Sequence, residues 1–186
     1  MKLLRVGELN KEKPAVLDKE NKIRNLSHYI EDFTPKTLNK DIINKFKDLD
    51  LKTLPEIDPK IRIGSCIANP SNFFAIGLNY KEHAEETGAK IPEYPVVFNK
   101  SVHSIVRPND NVIIPKNSQK LDHEVEIAVV IGKKAKEISE EEAQKYIFGY
   151  CICNDISERE WQKEKGGQWV KGKSGDTFGP IGPYLV

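Results

Sequence analysis

The chain of 186 residues has no long apolar run, and that lack sets the first limit on what it can be. Its opening MKLLRV is too short an apolar stretch for a signal peptide, and no later segment reaches the length of a membrane span, so a cytoplasmic protein is expected. Charge of one sign is also lacking: 29 Lys and Arg face 28 Asp and Glu, and the basic residues are scattered lysines rather than an arginine-rich stripe. Nucleic acid is therefore not an expected partner. Cysteine is scarce and odd in number. Cys151 and Cys153 stand two apart in an apolar run, as small buried thiols on one strand face, and a zinc site would need two more soft ligands beside them. There is no internal repeat or low-complexity tract, and the glycine-rich stretch from Gly172 to Gly182 has neither phosphate-loop spacing nor a following helix. At 38% hydrophobic, the chain can nonetheless bury a real core.

Two regions differ in character. Residues 1–60 read as a small α+β unit, with a strand at Lys2 to Val6, a turn at Glu12 to Pro14 and a second strand near Ala15 to Leu17. Leu38, Ile42, Ile43, Phe46 and Leu49 recur at helical spacing, with Thr37 or Asn39 as cap, and Leu54 to Lys60, holding two prolines, reads as a linker. Residues 61–186 break into short apolar runs separated by Pro, Gly and Asn, the pattern of a mostly β domain. Strands are expected at Phe73 to Ile76, Pro95 to Phe98, Val112 to Ile114 and Ile147 to Asn154. A short helix from Asn79 to Thr87 is closed by Gly88, and a Ser139/Glu142 capping box starts another. The chain closes on DTFGPIGPYLV in mid-strand, so the expectation is a domain incomplete at its C-terminus.

The most informative segment is LDHEVEIAVVIG, residues 121–132. Read as a strand, it sends Glu124 and Glu126 to one face and Val125, Ile127, Val129 and Ile131 to the other. Paired carboxylates repel and are costly to desolvate, and a hard divalent cation would remove both penalties; a solvated strand face bearing two acids is the plainer alternative. Asp155 ends the next apolar strand, where it is either a third oxygen ligand for Mg2+ or Mn2+ or a helix N-cap. His83 and Glu86, three apart on a helix, suit a general base with an orienting carboxylate, or equally an exposed polar face. Lys100 and Lys173 could each hold a substrate carboxylate or counter an oxyanion, or lie solvated at the surface.

Taken in order, GLNYKEHAEETG, PVVFNKS, DHEVEIAVVIGK, GYCICNDISERE and KGKSGDTFGPIGP resemble the catalytic domain of the fumarylacetoacetate hydrolase family, followed from its start through two thirds of its length. The stretch GGQWVKGKSGDTFGPIGPYLV is similar to bacterial members labelled ureidoglycolate lyase or 2,4-diketo-3-deoxy sugar-acid hydrolase. The resemblance implies a mixed β-sandwich roll with a small N-terminal domain, usually homodimeric. It implies a divalent ion, Mg2+ or Mn2+, on Glu124, Glu126 and Asp155; a catalytic dyad in His83 and Glu86; a catalytic Lys173; and substrate contacts from Lys100 and Gln162. Two departures stand out. Leu78 occupies a place where many relatives carry an arginine that contacts the substrate carboxylate, and the relatives' Thr-Gly-Thr-Pro loop is not among these residues. The activity implied is metal-assisted hydrolysis of a carbon–carbon bond in a 2-oxo or 2,4-dioxo acid. Lyase, isomerase or decarboxylase chemistry on the same scaffold, or an inactive fragment, are the alternatives.

Overall fold

The computed structural model describes residues 1–186 and is a mixed α+β fold in which strand prevails over helix. Strands β1 (Lys2–Val6), β2 (Lys13–Leu17), β3 (Ile23–Asn25) and β4 (Glu56–Ile57) form an antiparallel sheet in that order. Helix α1 (Lys40–Lys47) is inserted before β4 and starts at Asn39, whose side chain accepts from the backbone N–H groups of Asp41 and Ile42. Strand β4 lies within the stretch expected to be only a linker. At two residues it is too short to leave a periodic signal, and it forms because it can complete the edge of β3.

The second region holds β5 (Phe74–Gly77), helix α2 (Lys81–Glu86), β6 (Val96–Asn99), β7 (Ile105–Val106), β8 (Leu121–Asp122), β9 (Val125–Ile131), β10 (Ile147–Asn154), β11 (Ser157–Glu158), helices α3 (Arg159–Lys163) and α4 (Val170–Lys173), and β12 (Gly179–Pro180). β5 pairs antiparallel with β6, β9 with β10 and β8 with β11, whereas β12 runs parallel to β7. Helix α2 ends as its sequence indicates: Gly88 takes a φ of +65°, and the Ala89 N–H reaches back to the Ala84 carbonyl at 2.8 Å. Two expectations are corrected. Val112 to Ile114 is not a strand, its Ile113 N–H donating instead to the Thr177 hydroxyl at 2.7 Å. The segment after Ser139 is a 3-10 turn over Glu140–Lys145 without a side-chain cap bond, so no capping box forms.

The last residues join the two regions. Leu185 exchanges backbone hydrogen bonds with Leu3 at 2.8 and 2.9 Å, and Val186 does so with Tyr150 at 2.7 and 2.9 Å, stitching β1 to β10. Beneath this seam lies one core cluster that mixes Leu3, Val16, Leu26, Phe33 and Phe46 with Cys66, Cys151, Cys153, Ile181 and Leu185. Full burial of a side chain such as Phe33 or Phe46 contributes about 1.5–3 kcal/mol. Cys151 and Cys153 are buried on one face of β10, as their spacing indicates. The outer face of β9 and β10 is different: Val125, Ile127, Val129, Ile131 and Ile152 are all exposed, Val125 by 78%.

Candidate active site

The expected alternation of residues 121–132 holds, with a break. β8 ends at Asp122 and β9 starts at Val125, so Glu124 sits in the gap rather than within a continuous strand. Its N–H donates to the Asn154 side chain at 3.1 Å and its carbonyl accepts from the Asp155 N–H at 2.8 Å. These backbone ties set Glu124 beside Asp155 at the end of β10. Two residues after Glu124, within β9, Glu126 stands opposite Cys153 on the same inward face. The acids therefore turn into the protein while the neighbouring Val and Ile side chains turn out.

Lys100 and Lys173, only 1% and 2% exposed, are not surface lysines. Lys100 follows β6; its Nζ lies 2.6 Å from Asp155 Oδ1 and donates to the carbonyls of Lys173 at 2.5 Å and Ile156 at 3.3 Å. The Asp155 Oδ1 contact is an ion pair without an aligned hydrogen bond. Lys173, at the end of α4, donates from Nζ to Glu124 Oε2 at 2.6 Å and to Asp155 Oδ2 at 2.7 Å, and sits over the Phe98 ring at 5.1 Å. Burial pushes the Lys100 ammonium below the ordinary lysine range, and Asp155 works against that shift.

His83 and Glu86 are not brought together. Helix α2 buries Ala84, which turns His83 toward the acids so that its Nε2 lies 3.7 Å from Glu124 Oε1. Glu86 is exposed and makes neither a hydrogen bond nor an ion pair with His83. Gln162 is buried, its Oε1 accepting from Arg159 at 3.1 Å. Arg159 itself is a site residue that sequence reasoning missed. Its guanidinium reaches Glu124 Oε1 at 2.5 Å and Asp122 Oδ2 at 2.8 Å, and these two carboxylates raise its pKa although burial works the other way. Its signal was its place four residues after Asp155, at the first position of α3, but SERE reads locally as an ordinary helix start.

The charges do not balance evenly. Burial works to raise the Glu124 carboxyl, yet the hydrogen bond and charge of Lys173, followed by those of Arg159, hold it at about 2. Glu126 goes the opposite way, pushed up first by burial and then by the charges of Glu124 and Asp155. As the side chains stand, no three acidic, His or Cys groups converge on one point, and the cation between Glu124 and Asp155 is the Lys173 ammonium. The donor set itself fits a hard divalent ion: three carboxylates on one wall, two already sharing a cation and the third left with excess negative charge around it.

Of these groups, Lys100, Glu126 and Asp155 line a cavity of about 580 Å³ together with Phe73, Phe74 and Ile76. A mostly apolar hollow with a few convergent charges is the usual form of a small-molecule site. The glycine of GLNY has a structural task here. A Cβ on Gly77 would lie 2.6 Å from the Trp169 ring, which in turn packs on Phe98 at a centroid distance of 5.3 Å. Next to it, Leu78 holds a φ of +51°, a strained backbone for a branched side chain.

Comparison with known proteins places this arrangement. The family model described as fumarylacetoacetate (FAA) hydrolase C-terminal matches residues 72–186. A Burkholderia orbicola protein named only as a "putative hydrolase" is 50% identical over all 186 residues, which span 66% of its length. In structure, the chain superposes along its full length on a fumarylacetoacetate hydrolase from Exiguobacterium antarcticum, with a TM-score of 0.79, 30% identity and 66% of that chain covered. It also matches a 5-carboxymethyl-2-hydroxymuconate delta-isomerase from Mycobacterium smegmatis, with a TM-score of 0.74, 30% identity and 66% coverage. The chain thus spans about two thirds of the length of the relatives it matches. From the order of its motifs, its fold and these matches, the chain belongs to the fumarylacetoacetate hydrolase family.

Proposed function

We propose that this chain carries the site of a divalent-metal-dependent hydrolase that cleaves a carbon–carbon bond in a 2-oxo or 2,4-dioxo acid. The observation that carries the reading is the Glu124–Lys173–Asp155 cluster, whose Asp155 lines an apolar cavity with Lys100 and Glu126 and whose Glu124 lies 3.7 Å from His83. Glu124, Glu126 and Asp155 would hold Mg2+ or Mn2+, which supplies Lewis acidity toward the oxygens of the 2-oxo acid and lowers the energy of the departing enolate.

The chain's own groups do the rest. His83 Nε2 takes a proton from water as the water oxygen adds to the distal carbonyl. The carbon–carbon bond then breaks with its electron pair passing to the enolate fragment, which takes up the proton from His83. Lys100 and Lys173 counter the negative charge that develops, Gln162 orients the substrate, and the apolar wall limits access of bulk water. Glu124 Oε1, 3.7 Å from that same Nε2, would offset the positive charge that His83 gains, a part the exposed Glu86 does not take. In this reading the enzyme is cytoplasmic, no helix being long and apolar enough to cross a membrane, and homodimeric, a partner copy covering the exposed apolar face of β9 and β10.

The similarity to a named isomerase favours a second reading, in which the same enolate is reprotonated without attack by water. One assay separates the two: the protein is incubated with Mg2+ and a panel of 2,4-dioxo acids, ureidoglycolate and an unsaturated 2-hydroxy dioate, and the products are weighed. Hydrolysis gives two fragments that together gain one water, and isomerisation leaves the mass unchanged. Absence of any EDTA-sensitive turnover across the panel refutes both.

A further inference from the structure

Lys173 already does what a metal ion would do: its Nζ touches one oxygen of Glu124 at 2.6 Å and one of Asp155 at 2.7 Å, out of contact with water. We propose that the Lys173 ammonium is the resident counter-ion of the metal-free site, and that an incoming divalent cation displaces it from Glu124 and Asp155 toward the Phe98 ring. This rests on the metal reading of the same site and adds to it an order of events and a mobile part.

Three features argue for exchange rather than coexistence. First, a buried and a partly buried carboxylate side by side without a cation are costly, so the empty site needs an internal positive charge. Second, the ammonium takes the lone pairs of Glu124 Oε2 and Asp155 Oδ2 that an ion bridging the same residues would use. Third, of the three cations present, Lys173 alone is free to leave. Lys100 is fixed by two main-chain carbonyls, and Arg159 is divided among Glu124, Asp122 and Gln162. Lys173 Nζ has only the two carboxylates and the Phe98 ring. That ring gives it a berth to retain after release, on a flexible four-carbon stem. Ion loading would then do two things at once: fill the acid cluster and release the catalytic ammonium from its two carboxylates onto the face of Phe98.

The test is a calorimetric Mn2+ titration of the full chain in four forms: wild type, Lys173→Met, Lys100→Met and Asp155→Asn. Methionine keeps the apolar stem and removes only the ammonium. Displacement predicts that Lys173→Met binds Mn2+ at least about tenfold more tightly than wild type, while Lys100→Met, which removes the same charge from a non-bridging position, gains clearly less. Equal or weaker binding by Lys173→Met, or an equal gain in both lysine variants, overturns the proposal. Binding that survives Asp155→Asn, or no binding in any form, overturns the metal reading itself and takes this inference with it.

A second measurement needs no variant. Amine-labelling of the wild type, read by mass spectrometry with and without Mn2+, should show Lys173 labelled several-fold faster in the loaded protein, with Lys100 unchanged. Equal labelling of Lys173 in the two states contradicts displacement.

Discussion

Gly172→Ala tests how tightly the site depends on the approach of two short helices. A Cβ at Gly172 would lie 2.6 Å from the Gln162 nitrogen, 2.7 Å from the Glu158 carbonyl oxygen and 2.8 Å from the Gln162 Cα. All three neighbours are backbone, so none can rotate aside. Ordinary contact begins at 3.4 Å, and 3.4 less 2.6 leaves about 0.8 Å by which α4 must retreat from α3. Overpacking of this kind costs about 1–3 kcal/mol. For a domain of this size each kcal/mol lowers the melting temperature by about 2–4 °C. The next residue is Lys173. The same retreat would stretch its bonds of 2.6 and 2.7 Å to roughly 3.4 Å, beyond a useful charged hydrogen bond. Differential scanning calorimetry and the turnover assay should therefore show both a lower melting temperature and a large loss of activity. Gly167→Ala is the matched control. Gly167 has a φ of +69° and open space around it, so that variant pays only the left-handed penalty of about 1–2 kcal/mol and keeps its activity. A Gly172→Ala protein that melts and turns over like wild type would refute the reasoning.

Three other outcomes follow from the site. Glu124, held at about 2 against an unfolded value of 4.5, contributes stability that is fully present above pH 4.5 and lost as pH falls through about 2. Urea melts should show a loss of up to about 3 kcal/mol from this group between pH 5 and 2; Glu124→Gln should lack that part of the slope, and an unchanged slope would refute it. His83→Ala should lower turnover by about 10²–10⁴-fold while leaving Mn2+ affinity nearly intact, whereas Glu86→Ala, at an exposed position without an ion pair to His83, should do far less. Light scattering should give twice the chain mass, and Ile127→Glu, on the exposed face of β9, should reduce it to one; a monomeric wild type contradicts the paired assembly.

Much of the scaffold was legible because its signals are local. β1 and β10 fall where apolar runs place them, Asn39 caps α1, and Gly88 closes α2. What escaped notice depends on partners far along the chain. β4 exists only against β3, and Val112 to Ile114 is drawn off as an irregular segment by Thr177, 64 residues away from Ile113. For the site, residue types and order pointed to Glu124, Glu126, Asp155, Lys100 and Lys173, and the grouping of Glu124, Asp155, Lys100 and Lys173 could be seen only in space. Helical spacing suggested a His83–Glu86 pair. The burial of Ala84 decided instead which way the helix faces, and His83 meets Glu124. Arg159 was hidden because its partners lie on β8 and in the break before β9.

The central claim is that Glu124, Glu126 and Asp155 form a divalent-cation centre. Crystals grown with Mn2+ and measured at the manganese absorption edge test it directly. The account predicts a single strong anomalous peak within coordination distance of all three carboxylates, with Lys173 Nζ moved off Glu124 and Asp155. An acid cluster without a peak at saturating Mn2+, its Lys173 bridge intact, would contradict it.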